Sequence, residues 1–228
     1  MILPSFAWTP AEALEVAARA EEVGVDGVFC YDHLWPMGDP SRPALAPFPI
    51  LSVVADRHPE LFVSPLVARI GMVDDEVLCG QFRALAEIAP GRVIAAMGTG
   101  DKLSAAENLA YGIPFGPADE RRASLRSNAI ALLDEGIEVW IGGGAPPTVA
   151  IAEELPCALN MFQATPTQLA EQATRSEVTW AGLVPTTLDL PVESWLETRL
   201  SAVASSGASW AVVGWPCPLE VLAAGSQG

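Results

Sequence analysis

Positive charge is scarce in this chain. Lys102 is its single lysine, and lysine plus arginine come to 12 of 228 residues against 28 aspartates and glutamates, for a formal net charge of −16. A nucleic-acid groove needs clustered Lys and Arg to neutralise phosphates, so that class of partner is excluded. Histidine is scarcer still: His33 and His58 are the only two. No Cys-x-x-Cys pair occurs either, so no zinc or non-haem iron site is expected. Cys30, Cys79, Cys157 and Cys217 are far apart and read as small buried hydrophobes. No apolar run reaches the ~18 residues of a membrane span. Met1-Ile2-Leu3-Pro4-Ser5 lacks the charged region of a signal peptide, so a soluble cytoplasmic protein is expected. There is no Gly-x-Ser-x-Gly elbow and no Gly-Lys-Ser/Thr phosphate loop.

Apolar residues make up 50% of the chain and charged ones only 18%. The latter is below the ~25% of ordinary globular domains, so extensive burial is implied. Strand-like and helix-like stretches alternate. Strands are expected over 2–7, 26–31, 61–67, 92–97, 137–141, 158–162, 178–184 and 210–213. Helices should follow them, opening near Thr9, Ile50, Asp75, Ser104 and Ala118, Pro147, Thr165, Val192 and Leu219. Thr9-Pro10-Ala11-Glu12 and Thr165-Pro166-Thr167-Gln168 both read as capping boxes. Eight strand-then-helix units without a repeat or linker argue for a single α/β domain over 1–228, a (β/α)₈ barrel. A doubly wound sheet is the alternative.

In either fold the working face lies at the carboxyl ends of the strands. Three strand ends there are polar or glycine-rich. The second strand runs into Asp32-His33. Neighbours on an extended chain face opposite ways, so one can enter the mouth while the other braces it. The fourth strand runs into Gly98-Thr99-Gly100-Asp101, which permits close backbone approach or a tight turn. The fifth runs into Gly142-Gly143-Gly144 ahead of a helix, a setting for an anion or again a turn. Asp101 and Glu107 can form an acid pair, although a solvated helix face is the simpler reading of Glu107. Trp35 to Pro49 is long for a βα connection and suits a binding loop or a surface excursion.

Several of these stretches resemble one family in order. Val25-Asp26-Gly27-Val28-Phe29-Cys30-Tyr31-Asp32-His33-Leu34 is similar to the second-strand motif of the bacterial luciferase-like monooxygenase superfamily, most of all the branch that uses the deazaflavin coenzyme F420. Ser64 to Arg69, Pro90 to Asp101 with Glu107-Asn108 and Ala110 to Pro114, Arg121 and Leu125, Val139 to Gly144, and Val178 to Leu183 resemble its later motifs.

The resemblance implies a TIM-like barrel with F420, or alternatively FMN, across its top, and hydride transfer to or from a small organic substrate. An FMN monooxygenase and a cofactor-binding barrel without turnover are the alternatives. It implies His33 and Asp32 as catalytic residues. Ser64, Pro65 and Leu66 would form a bulge behind the ring, with the Ser64–Pro65 bond a candidate cis peptide. Gly98, Thr99, Gly100 and Asp101, then Gly142, Gly143, Gly144 and Asn160, would bind the cofactor. Trp35, Met37 and Phe48 would line an apolar substrate pocket. A homodimer through the helices flanking the second and third strands is also raised, with Leu78, Phe82 and Leu85 serving either that contact or the core. The chain departs from the family in being shorter and in lacking basic residues for a phosphorylated sugar.

Overall fold

The computed structural model describes residues 1–36 and 38–225. Its elements are α1 (Ala11–Val23), β1 (Gly27–Cys30), α2 (Pro47–Arg57), β2 (Phe62–Pro65), β3 (Ala68–Arg69), α3 (Asp75–Ile88), β4 (Ile94–Gly98), α4 (Lys102–Ala110), α5 (Ala118–Asp134), β5 (Glu138–Gly142), α6 (Pro146–Glu154), β6 (Ala158–Phe162), α7 (Pro166–Ala173), β7 (Val178–Leu183), α8 (Val192–Ser205), β8 (Ala208–Gly214) and α9 (Leu219–Gly225). All strand pairs are parallel. β1 pairs with β2, and β3 to β8 pair in sequence order. Single bridges join the two sheets into a circuit: Val63 to Val93, and Ile2 to both Phe29 and Gly214.

The expected first strand over 2–7 shrinks to that bridge. Ile2 N–H donates to the Val213 carbonyl and Leu3 N–H to that of Phe29. The next residue, Pro4, has no N–H to continue the ladder. The expected third strand is split in two, with Pro65 ending β2. Among the described residues the cis peptides are Leu66–Val67 and Trp215–Pro216, so the expected cis bond at Ser64–Pro65 is displaced two residues onward. Ser64 Oγ instead donates to the Pro65 carbonyl at 2.6 Å.

Of the two capping boxes, Thr165 with Gln168 forms as expected. The one at Thr9 does not. α1 has Pro10 as its N-cap with no side-chain cap, and Glu12 accepts from the indole of Trp215 at 3.2 Å.

Two apolar layers hold the barrel. Inside it, Phe29 stacks on Trp140 at 5.5 Å between centroids, and Trp210 meets Trp140 edge-on at 5.6 Å. Ile2, Leu66, Ile94, Ala96, Ala158, Ala181 and Val212 fill the space around them. Between strands and helices, Leu78, Phe82 and Leu85 of α3 are each at most 3% exposed, so they serve the core and are not free for a dimer contact. Among the described residues no helix is long and apolar enough to cross a membrane.

The top of the barrel is shaped by one contact. Val67 lies over the ends of β4 and β5, where Gly98 and Gly142 are register partners. A β carbon on Gly142 would stand 2.6 Å from Val67 Cγ1, and one on Gly98 would stand 2.7 Å from Cγ2. Gly142→Ala should therefore cost about 1–3 kcal/mol in urea denaturation. Adding Val67→Ala should recover part of that loss, and additive losses would contradict the contact.

Candidate active site

His33 follows Phe29 and Tyr31 at two-residue spacing, which carries it to the inner side at the carboxyl end of β1. Its ring is 6.1 Å from that of Tyr31, edge-on, and its side chain is 25% exposed. Nδ1 lies 2.7 Å from Glu107 Oε1, and Nε2 makes no hydrogen bond to another described residue. Asp32 turns the other way. Its Oδ2 accepts from the backbone N–H of Arg69 at 2.6 Å, tying β1 to β3.

Glu107 departs most from expectation. It is not on a solvated face: it is 1% exposed. Oε2 accepts from the Leu34 N–H at 3.0 Å and from Arg69 Nη2 at 2.7 Å. Arg69 is itself 2% exposed, and its Nη1 donates to Asn108 Oδ1 at 2.8 Å and the Ser104 carbonyl at 3.1 Å. α4 is thus amphipathic in reverse. Ser104, Glu107 and Asn108 face inward, while Leu103 and Leu109 are exposed at 47% and 71%. The i, i+3, i+4 spacing of those three polar residues was the signal in the sequence that this face is special. Arg69 and Asn108 were not singled out from sequence as site residues.

The remaining expected residues fall into separate places. Asp101 caps α4, accepting from Ser104 N–H at 2.9 Å, and that capping holds its carboxyl low against the opposing effect of burial. The Thr99 carbonyl accepts from Arg121 Nε at 2.8 Å, and the Arg121 guanidinium stacks on Phe115. Ser64, Pro65 and Leu66 are buried beneath the mouth. Asn160, in register between Gly142 and Thr179, donates to Thr179 Oγ1 at 2.9 Å.

Gly143 and Gly144 are exposed, and a β carbon on Gly144 would meet nothing within 4 Å. α6 behind them opens with Pro146 and Pro147. Neither has an N–H, so two of the usual free donors of a helix start are missing there. Any anion at that turn would depend on the loop N–H groups themselves.

Trp35 packs beside Tyr111 at 5.9 Å. Phe48 does not join it: its ring is edge-on to Phe82 at 5.1 Å, between α2 and α3. Met37 lies outside the described residues. A cavity of about 410 Å³ lined by Gly27, Phe62 and Trp210 sits at the opposite, amino-terminal end of the strands.

The match to known proteins agrees with this architecture. Residues 5–133 match the luciferase-like monooxygenase family. An F420-dependent glucose-6-phosphate dehydrogenase of Nakamurella multipartita is 30% identical over 134 residues, 58% of this chain and 38% of that protein. The enzyme of the same name from Kineococcus radiotolerans is 32% identical over 131 residues, 56% and 37%. The matched stretch thus spans little more than a third of these relatives.

Among solved structures, an F420-dependent secondary alcohol dehydrogenase in complex with an F420–acetone adduct superposes with a TM-score of 0.76 at 15% identity, covering 96% of this chain and 94% of that one. The coenzyme F420-dependent tetrahydromethanopterin reductase of Methanopyrus kandleri gives 0.72 at 13%, covering 98% and 95%. At such identities the likeness is one of fold.

Two carboxylates of the network are shifted in opposite directions. Burial pushes Asp32 above its ordinary value, and Arg69 and His33 offset this only in part. Burial also pushes Glu107 up, but the Leu34 N–H, Arg69 and His33 outweigh it and hold it below its ordinary 4.5. Glu107 therefore contributes stability that is full above that value and lost as pH falls through its lowered folded value. Asp32 has the opposite sign: its ionisation costs stability, and the cost is relieved as pH falls through its raised folded value. Glu107→Gln should cost about 3 kcal/mol near neutral pH, because it leaves the Arg69 charge less matched, and should flatten the acid limb of stability. Asp32→Asn should steepen that limb. Urea denaturation across acidic pH checks both, and unchanged slopes in both variants would contradict the assignment.

Proposed function

This chain belongs to the luciferase-like monooxygenase family, and from that premise we propose that it is an oxidoreductase moving hydride between the deazaflavin F420 and an organic substrate at the mouth of the barrel. The observation that carries this reading is the His33–Glu107 pair. Its carboxylate is held ionised by the Leu34 N–H and a buried guanidinium, and its imidazole is bonded through Nδ1, with Nε2 left without a partner among the described residues.

The residues present fit a planar heterocycle with an anionic tail. Val67, over Gly98 and Gly142, provides an apolar floor without projecting side chains. His33 stands at one side with Nε2 unengaged. The exposed Gly143 and Gly144 offer backbone N–H groups for a phosphate. The carboxylates gather at the β1 and α4 side, so an anionic tail is favoured toward β5 and the ring toward His33. In this reading Thr99, Gly100 and Asn160 contact the cofactor from the strand ends. Asp101 shapes the turn before α4. Ser64, Pro65 and Leu66 support the floor from below, and Trp35 borders the substrate.

Bound there, the cofactor would supply the hydride donor or acceptor. The protein's own part is to orient and to move a proton. An ionised Glu107 requires the proton of a neutral imidazole to sit on Nδ1, which leaves Nε2 as the acceptor. Proton uptake at Nε2 creates an imidazolium that Glu107 stabilises in place. Arg69 keeps Glu107 charged. Asp32 acts as a positioning residue, since it fixes β3 and hence Arg69 without facing the mouth.

Titrating the purified protein with F420 and with FMN separates the cofactors, because the first absorbs in the violet and the second in the blue. F420 is expected to bind. His33→Asn should keep that affinity within a few-fold while single-turnover hydride transfer with a panel of alcohols falls about 10²–10⁴-fold. Binding of FMN alone would move the reading to a flavin monooxygenase. Binding of neither would remove it, and undiminished transfer in His33→Asn would remove the role of His33.

A further inference from the structure

The barrel has a seam between its last strand and its first. Among the described residues no ladder pairs β8 with β1, and the two are joined through Ile2, which bridges Phe29 and Gly214 toward their carboxyl ends. Below that bridge the Met1 amine reaches β1, donating to the Gly27 carbonyl at 2.6 Å. Ala208, Trp210 and Ala211 of β8 pair there with β7 alone. The cavity of about 410 Å³ at the amino-terminal end of the strands is the space this gap leaves.

Two aromatic rings line it from inside the barrel: Phe62 and Trp210, edge-on to each other at 5.5 Å. Leu200 and Val203 of α8 and Leu222 of α9 line it from outside. Phe29 and Trp140 pack on Trp210 and separate it from the mouth, so this is a different place from that of His33. Its volume lies within the ~300–1,000 Å³ of small-molecule sites. Apolar walls of this kind take up apolar molecules in preference to water.

One donor in the lining is uncommitted. The indoles of Trp140, Trp180 and Trp215 donate to Glu138, to the Ala164 carbonyl and to Glu12. Trp210 Nε1 makes no hydrogen bond to another described residue. No buried side-chain nitrogen or oxygen lacks a partner among the described residues, so this N–H reaches open space, and the space beside Trp210 is the cavity. The other polar groups there are engaged. Ser209 Oγ donates to Glu177 at 2.7 Å. Burial lowers the Met1 amine to about 5, so near neutral pH it offers an anion no charge. Asp26, the one charged side chain in the lining, is exposed. It repels anions, and water screens it so well that a cation gains little by leaving solvent for the apolar walls.

We propose that this seam cavity is a second ligand site, and that it takes a small uncharged aromatic carbonyl compound whose oxygen accepts from Trp210 Nε1. The aromatic part lies against the Phe62 and Trp210 rings. The site is independent of the cofactor reading, since nothing in it touches the mouth.

The test is titration of the full chain, without cofactor, with acetophenone. It is followed in ¹H–¹⁵N spectra of the indole N–H groups, assigned through bonds; the seven tryptophans give seven such signals. The Trp210 signal should shift saturably with a dissociation constant of about 1 mM or tighter, while that of Trp35 at the mouth stays in place. Ethylbenzene, of the same shape without the acceptor, should bind about three- to tenfold more weakly, the equivalent of one lost hydrogen bond. Benzoate and benzylammonium should bind at least about tenfold more weakly than acetophenone. Ala204 is exposed on α8 at the rim of the cavity. Ala204→Phe should block it, weakening acetophenone at least about tenfold by steric exclusion with the urea midpoint unchanged. Absence of saturable binding, a shift at Trp35 in place of Trp210, equal affinity for ethylbenzene, or equal or tighter binding of either ion would each overturn the proposal. So would undiminished binding in Ala204→Phe.

Discussion

A guanidinium that is 2% exposed must be matched where it stands, and Arg69 is matched by Glu107 at 2.7 Å with Asp32 close behind at 3.6 Å. The candidate site follows from that requirement. Glu107 has to be ionised, which sets the proton on His33. Asp32 has to sit at the end of β1, which fixes β3 through its bond to the Arg69 backbone. α4 has to turn its polar face inward, which leaves its leucines outside. Buried ion pairs are poor sources of net stability, because desolvation offsets most of the attraction. What this one secures is geometry: three elements distant in sequence are locked to one another at a single point under the mouth.

Below that point the barrel is apolar and aromatic. The Phe29, Trp140 and Trp210 rings occupy the interior, so the site cannot extend downward and any ligand must lie across the top. The floor there is set by side-chain volume: Val67 occupies the space that β carbons at 98 and 142 would need. Glycine is required at those strand ends by the protein's own packing, whatever a ligand adds. Gly143 and Gly144, one step further along, are the ones left open.

The barrel was legible because alternating apolar runs and capped helices survive as local signals. Boundaries moved where proline intervened: Pro4 cut the first strand to a bridge, and Pro65 divided the third. His33 was legible as a polar ending on a buried strand. Glu107 was not, because a glutamate on a short helix with exposed leucines has the composition of a solvated face, and only its spacing with Ser104 and Asn108 hints otherwise. Arg69 was hidden for a different reason. A charge next to a strand is explained only by partners brought from residues 32 and 107, and no local pattern carries that pairing. Phe48 failed as a pocket residue because helix α2 begins at Pro47 and turns its ring toward Phe82.

The account turns on where the His33 proton sits. With only two histidines in the chain, ¹⁵N-histidine labelling and NMR resolve both rings, and His33→Asn assigns the pair. At pH high enough for neutral imidazole, His33 is expected as the Nδ1–H tautomer with unprotonated Nε2, and Glu107→Gln is expected to release that preference. A proton found on Nε2 of neutral His33 in the unaltered protein would contradict the account.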